Sequence, residues 1–235
     1  MKQQITKLVL IVGLFFMSII RIQAQAALLA LIFGDKVATE KFHLSIDAGL
    51  NFSSMPGLKS QQTMHAVYFG LGTFIKLDDQ WAITPEFKPL SPRGAKNVLP
   101  VRDYSSVLTN VSYDLELNYI DVPVLAQYKL TPELFFSAGP QFSFLTSAKQ
   151  LASGKLPLGS TVDITEKMNS NFNSFYLSIP LEIGYSLSSA RSGKGVDVKL
   201  RYDIGLSEMI AASNYGSTKG STIQLFLSFP FIKSK

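Results

Sequence analysis

The stretch that most restricts the fold is Tyr119 to Leu145, which reads YIDVPVLAQYKL, then TPE, then LFFSAGPQFSFL. On its first arm Ile120, Val122, Val124, Ala126, Tyr128 and Leu130 fall on one face, and Asp121, Pro123, Gln127 and Lys129 on the other. A two-residue period marks a strand with two unlike faces. After Thr131-Pro132-Glu133 the second arm repeats it, with Leu134, Phe136, Ala138, Phe142 and Phe144 against Ser137, Gly139, Gln141 and Ser143. Each arm has about 11 residues, and a tilted strand crossing a bilayer needs about 9–11. The hairpin is long enough to cross a membrane and return.

The same alternation recurs along the chain. The first strand sets Phe42, Leu44, Ile46, Ala48, Leu50 and Phe52 against His43, Ser45, Asp47, Gly49 and Asn51. The second carries Val67, Phe69, Leu71 and Ile75 opposite Tyr68, Gly70, Gly72 and Lys76, and the third Trp81, Ile83, Pro85 and Phe87 opposite Thr84, Glu86 and Lys88. Beyond the central hairpin, strands six, seven and eight fall at Phe175–Leu187, Val196–Leu206 and Thr222–Phe231. Connections are short after the even strands. They are long after the odd ones, with irregular stretches expected from Pro89 to about Tyr113 and from Thr146 to about Phe172. The pattern predicts an all-β fold over residues 41–231, an eight-stranded antiparallel up-and-down transmembrane β-barrel with short periplasmic turns and long outer loops. Both termini are then expected in the periplasm. Prolines 85, 123, 140 and 180 each delete a ladder donor, and bulges are expected at them.

The N-terminus carries Lys2 and Lys7, a 13-residue apolar run Leu8 to Ile20, Arg21, and small residues at Ala24 and Ala26. This is the pattern of a secretory signal over residues 1–24, cleaved near Ala24 or Ala26. A second apolar run, Ala26 to Phe33, lies within a short N-terminal segment, 25–40, that is expected to lie at the membrane surface or against the barrel base; the alternatives are a plug, or an uncleaved anchor made of the two apolar runs together. Loss of residues 1–24 removes three cations and no acid, so the formal charge falls from +5 to +2. That balance gives no reason to expect a nucleic-acid partner. With no cysteine, an exported chain has neither disulfides nor a thiolate metal site.

Alternation alone does not say which face is outside, since a soluble lipocalin-like barrel also alternates. Three features favour a lipid-facing apolar face. The polar face is rich in Gly, Ser and Asn and suits a narrow lumen, and only 17% of residues are charged. Its charges mix signs: Asp47, Glu86, Asp121, Glu182, Asp197 and Asp203 with Lys76, Lys88, Lys129, Lys199 and Arg201. Such charges pair across a small lumen. Aromatic residues such as Trp81, Tyr128, Phe144 and Tyr185 lie on the apolar face near strand ends, as membrane girdles do. The expected location is the bacterial outer membrane.

Several short motifs together resemble the PorT-like outer-membrane β-barrel family, a group of small exported barrels within the wider porin and outer-membrane β-barrel class. They are Tyr119-Ile120-Asp121-Val122-Pro123-Val124, Ala138-Gly139-Pro140, Arg201-Tyr202 with Gly205-Leu206, and the aromatic last strand. The resemblance spans about Lys41 to Phe231. It implies an eight-stranded barrel without known catalytic residues, and an association with protein secretion for some members. One departure is the tail, residues 232–235, which follows the aromatic end where many such barrels stop.

Catalytic chemistry is sparse. His43 sits at the predicted periplasmic end and His65 at the outer end with lipid-facing parity; each reads as a rim histidine rather than a general base. Two histidines and no cysteine make no usual zinc set. Gly70-Leu71-Gly72 and Gly193-Lys194 lack the further glycines of nucleotide loops. No catalytic residue, metal or cofactor is expected. The polar residues expected to line the lumen are Asp47, Lys76, Glu86, Asp121, Lys129, Glu182, Lys199, Arg201 and Asp203. Arg93, Lys96 and Arg102 are binding candidates of the second outer loop, suited to anionic lipopolysaccharide or a partner. The expected role is structural or interactive, through the outer loops. The alternatives are a narrow channel, an accessory of protein secretion, or a soluble lipocalin-like binder. Expected partners are outer-membrane lipid and lipopolysaccharide, the barrel assembly machinery and secretion components.

Overall fold

The structure, a computed structural model, describes residues 39–55, 62–187, 195–210 and 218–232. The signal, Ala26 to Phe33 and the last three residues of the tail lie outside the described residues. Ten antiparallel strands follow in order: β1 (Phe42–Ser54), β2 (Gln62–Lys76), β3 (Trp81–Lys96), β4 (Thr109–Lys129), β5 (Leu134–Ala138), β6 (Gln141–Lys155), β7 (Thr161–Lys167), β8 (Phe175–Ser186), β9 (Asp197–Gly205) and β10 (Ser221–Phe231). Strands β5 and β6 are two halves of one stave, since each pairs with β4 on one side and β8 on the other. The ring closes by pairing β1 with β10, Leu44 opposite Phe231 through Ser54 opposite Ser221. Eight staves therefore form a closed barrel, which leaves no unpaired backbone edge in lipid. β7 stands outside the ring and, among the described residues, pairs only with β6.

Each membrane strand buries its polar side and exposes its apolar side. Asp47, Asn51, Asp121 and Arg201 are fully buried, whereas Val67, Phe69, Leu181 and Leu225 are exposed. That disposition rules out the lipocalin-like alternative, which needs a dry apolar interior and a wet exterior. Trp81 packs on Tyr128 with ring centroids 4.9 Å apart at the end where β2 turns into β3, and Phe142, Phe144 and Phe175 cluster further up the wall.

The two long irregular stretches expected between strands are largely sheet. β3 continues to Lys96 and β4 begins at Thr109, so that connection shrinks to residues 97–108. The other becomes the hairpin β6–β7. Two bulges account for the difference. Pro89 and Leu90 are both exposed, and the pairing slips by one residue between Lys88 opposite Asp121 and Ser91 opposite Tyr119. In β6 the pairing slips between Leu145 opposite Tyr119 and Ser147 opposite Asn118. Each bulge exchanges the inward and outward parity of its strand. Both flank Tyr119 of β4, so the wall is re-phased at one level.

Prolines 85, 123 and 180, in contrast, cause no register slip. They are accommodated otherwise than by bulges. Gly139-Pro140 interrupts the ladder between β5 and β6, with Pro123 opposite the adjoining Gln141, and the constant register of β8 brings Pro180 against the same break. Missing donors thus gather at one place, where Val124 N–H still reaches the Pro140 carbonyl at 2.9 Å. A Cβ on Gly139 would lie 2.1 Å from the Val124 carbonyl oxygen, so only glycine fits.

Candidate functional site: the barrel interior and its outer cap

From the short-turn end inward, the lumen begins as a cavity of about 410 Å³ whose walls include His43, Phe74, Thr84, Phe135 and Lys199. His43 stacks on Phe74, its cross-strand partner, at 4.6 Å, and its Nδ1 lies 3.2 Å from the Thr39 carbonyl oxygen. Lys76 and Lys129 belong to the rim of this cavity rather than to the buried lumen. Lys76 pairs with exposed Asp79 at 2.6 Å, and Lys129 is exposed.

Above the cavity is a layer of paired charge. Arg201 on β9 is fully buried and reaches the opposite stave, donating from Nη1 and Nη2 to the two Glu86 carboxylate oxygens on β3 at 2.8 and 2.6 Å. Its Nε donates to Glu182 on neighbouring β8 at 2.8 Å. Bidentate guanidinium–carboxylate geometry of this kind fixes direction as well as charge. Lys88 Nζ donates to Gln224 at 3.0 Å and lies 3.5 Å from Glu86, while Lys199 Nζ lies 3.8 Å from Glu182. The three cations surround one ring, Phe226, with Arg201, Lys88 and Lys199 at 5.0, 5.5 and 5.6 Å from its centroid. Gly49 makes room for that ring, since a Cβ there would be 2.3 Å from the Phe226 Cβ.

One step further out, Arg93 pairs with Asp121 and sits 5.0 Å over the Tyr119 ring. Asp203 accepts from Ser178 at 3.0 Å and Gln141 at 2.9 Å. Asp47 accepts from Ser45 at 3.3 Å. Asp47, Glu86, Asp121, Glu182 and Asp203 therefore face Lys88, Arg93, Lys199 and Arg201, a near balance of sign within the buried lumen.

Arg93 corrects the sequence reading. It is not an outer-loop residue but a buried lumen cation, because the Pro89-Leu90 bulge turns it inward. Lys96 is exposed at the C-terminal end of β3, and Arg102 lies in the connection 97–108, paired with Glu166 of β7. Phe226 went unnoticed in the sequence. Its signal was an aromatic residue at the inward parity of the last strand, between Gln224 and Ser228.

The end opposite the short turns is capped by apolar packing. Leu115, Leu117, Tyr119, Ala148, Ala152, Met168, Phe172 and Met209 form one buried cluster there. The connection 97–108 is strapped over it. Gln150, 1% exposed, accepts from the Val101 and Arg102 N–H groups at 2.7 and 3.1 Å and donates to the Arg102 carbonyl at 2.6 Å. Glu166 accepts from both Arg102 and Tyr104. The Tyr113 hydroxyl donates to Asp103 at 2.7 Å, and Ser105 donates to it from N–H at 2.8 Å and from its hydroxyl at 2.7 Å. These bonds, that from Tyr113 foremost, hold the Asp103 carboxyl down to about 2.

Among the described residues no group of three His, Cys, Asp or Glu side chains is placed to hold a metal ion. His65 points outward and packs edge-on against Phe52 at 5.2 Å.

A closed eight-stave wall with an apolar exterior and a charged, filled interior is the architecture of a small outer-membrane barrel. The chain belongs to the outer membrane protein beta-barrel domain family, whose model matches residues 23–211, and the bacterial outer membrane is its location. Similar solved structures include the attachment invasion locus protein Ail of Yersinia pestis, at 14% identity over 82% of this chain and 100% of that one, TM-score 0.40. Neisserial surface protein A is 12% identical over 83% and 98% of the two chains, TM-score 0.41. OprG of Pseudomonas aeruginosa is 11% identical over 83% and 98%, TM-score 0.39. No curated protein matches the chain.

Proposed function

We propose that this protein is a non-enzymatic outer-membrane barrel whose interior is a fixed plug and whose role is structural or interactive, exercised at the outer end. The observation that carries this reading is the Glu86–Arg201–Glu182 bridge, which ties opposite staves together across the lumen beneath an apolar cap. A general diffusion pore needs a continuous wet path, and an eight-stranded barrel is just wide enough for its own side chains. Both termini lie in the periplasm on this reading, and the partners are outer-membrane lipid, lipopolysaccharide and the barrel assembly machinery. The test is conductance of the reconstituted protein in a planar bilayer. A silent barrel agrees with a plug; discrete ion-selective steps would make it a narrow channel instead.

A second reading, an accessory of protein secretion, is favoured by the cavity open at the short-turn end, which offers a socket to a periplasmic component. The PorT-like motifs support the same reading. Filling that cavity with Thr84→Trp would impair secretion without disturbing the barrel if this reading holds, and would leave secretion unchanged if it does not.

A further inference from the structure

The outer sheet ends in an open edge. Among the described residues β7 pairs with β6 alone, and two hydrogen bonds show which of its backbone groups are used. Met168 N–H donates to the Ala148 carbonyl at 2.8 Å, and Leu156 N–H to the Ser160 carbonyl at 2.9 Å. Both fall in the β6–β7 register, so the bonded pairs recur at every second residue, through Val162, Ile164 and Glu166. The N–H and C=O groups of Thr161, Asp163, Thr165 and Lys167 therefore point to the open side, where no strand among the described residues meets them. Their side chains are exposed as well. The edge is held firmly from within, by Ile164 against the apolar cluster and by Glu166 on Arg102 and Tyr104.

Charged side chains on an edge ordinarily repel another strand. Here the charges are complementary to their own copy. If a second β7 is laid antiparallel about Thr165, Asp163 falls opposite Lys167 twice and Thr165 opposite its mate, all cross-strand pairs of favourable type. These positions share the parity whose backbone groups are unbonded, so the register that pairs the charges also completes the ladder. We infer that the open edge of β7 pairs antiparallel with β7 of a second copy of this chain. The inference deepens the reading of an interaction role at the outer end, on which it rests.

Geometry sets how the copies meet. Barrel strands tilt by about 35–45° from the axis. Two copies in one membrane are related by a twofold axis along the membrane normal, which preserves each strand's rise and cannot make tilted strands antiparallel. The pairing therefore joins copies in two apposed membranes.

The experiment uses the full exported chain reconstituted into lipid vesicles, with clustering followed by light scattering and dimerisation in detergent by sedimentation. Wild type is expected to cluster vesicles and to dimerise with rising concentration. Thr165→Pro removes an N–H from the open side only and abolishes both. Asp163→Lys sets lysine against Lys167 and weakens dimerisation by about tenfold, and adding Lys167→Asp restores it. Gel mobility before and after boiling shows whether each variant is folded; if Thr165→Pro is not, the charge series decides alone. A monomeric wild type, or a double variant that stays as weak as Asp163→Lys, overturns the inference. Conductance of the same preparations separates the two failures, because a monomer that carries no current leaves the plugged barrel standing, whereas a conducting one removes the reading beneath it.

Discussion

Two halves of one wall use opposite chemistry. In β4 below Tyr119, Ile120, Val122 and Val124 face outward and Asp121 is buried against Arg93, so the strand is apolar outside and carries charge within, although Pro123 and Leu125 are buried there too. Above it, Leu115 and Leu117 are buried while Glu116 is exposed, so the same strand with the same inward parity is polar outside and apolar within. The solvent explains the exchange. Where the outer neighbour is lipid, the hydrophobic drive is satisfied outward and the lumen is left to paired charges. Where the outer neighbour is water, the core must be inside. The bulges in β3 and β6 lie on either side of this change, at Tyr119.

The halves should therefore fail in different ways. The largest effect is expected from Arg201→Met, which strands Glu86 and Glu182 in the lumen and should cost about 3–5 kcal/mol. Denaturant unfolding followed by gel mobility would measure it. If Arg201→Met unfolds like wild type, the bridge does not hold the lower half. Leu117→Ala, at 1% exposure in the cap, should cost about 2–5 kcal/mol. Its damage should be local, raising hydrogen exchange in β4 above Tyr119 while the membrane half stays protected; equal loss in both would mean a single cooperative unit. Gly49→Ala, crowding Phe226, should cost about 1–3 kcal/mol.

The smallest effect concerns pH. Asp103 titrates below its ordinary value in the folded protein, so its contribution is present above about pH 4 and is lost as pH falls towards about 2. Proteolysis of the connection 97–108 should be unchanged between pH 5 and 8 and rise only below about 4. A rise near neutrality would mean that another group holds the strap.

The membrane half was legible in the sequence because one rule, apolar out and polar in, runs through strands such as Phe42–Phe52 and, with Pro123 and Leu125 as inward exceptions, Tyr119–Leu130. The outer half was not, for two reasons. The alternation of Tyr113, Leu115, Leu117 and Tyr119 is regular but means the reverse when the outside is water. The bulges at Pro89-Leu90 and near Thr146 also break the count, so Arg93 read as a loop cation although it is buried on Asp121. Proline misled in the other direction. Its lost donors suggested bulges at Pro123 and Pro180, and the fold instead gathers them at the single break beside Gly139. Long-range partners such as Arg201 with Glu86 follow from closure of the ring, which parity within one strand does not reveal.

The exchange of chemistry at Tyr119 is tested most directly by a cysteine scan of β4, made clean by the absence of native cysteine. Single cysteines from position 114 to position 124 would be exposed, in intact vesicles, to a membrane-impermeant maleimide on the outer side. Labelling is expected at 114 and 116, and none at 115 or 117, which face the apolar cap, or at 120, 122 and 124, which face lipid. Labelling at 115 and 117, or at 120 to 124, would contradict the exchange.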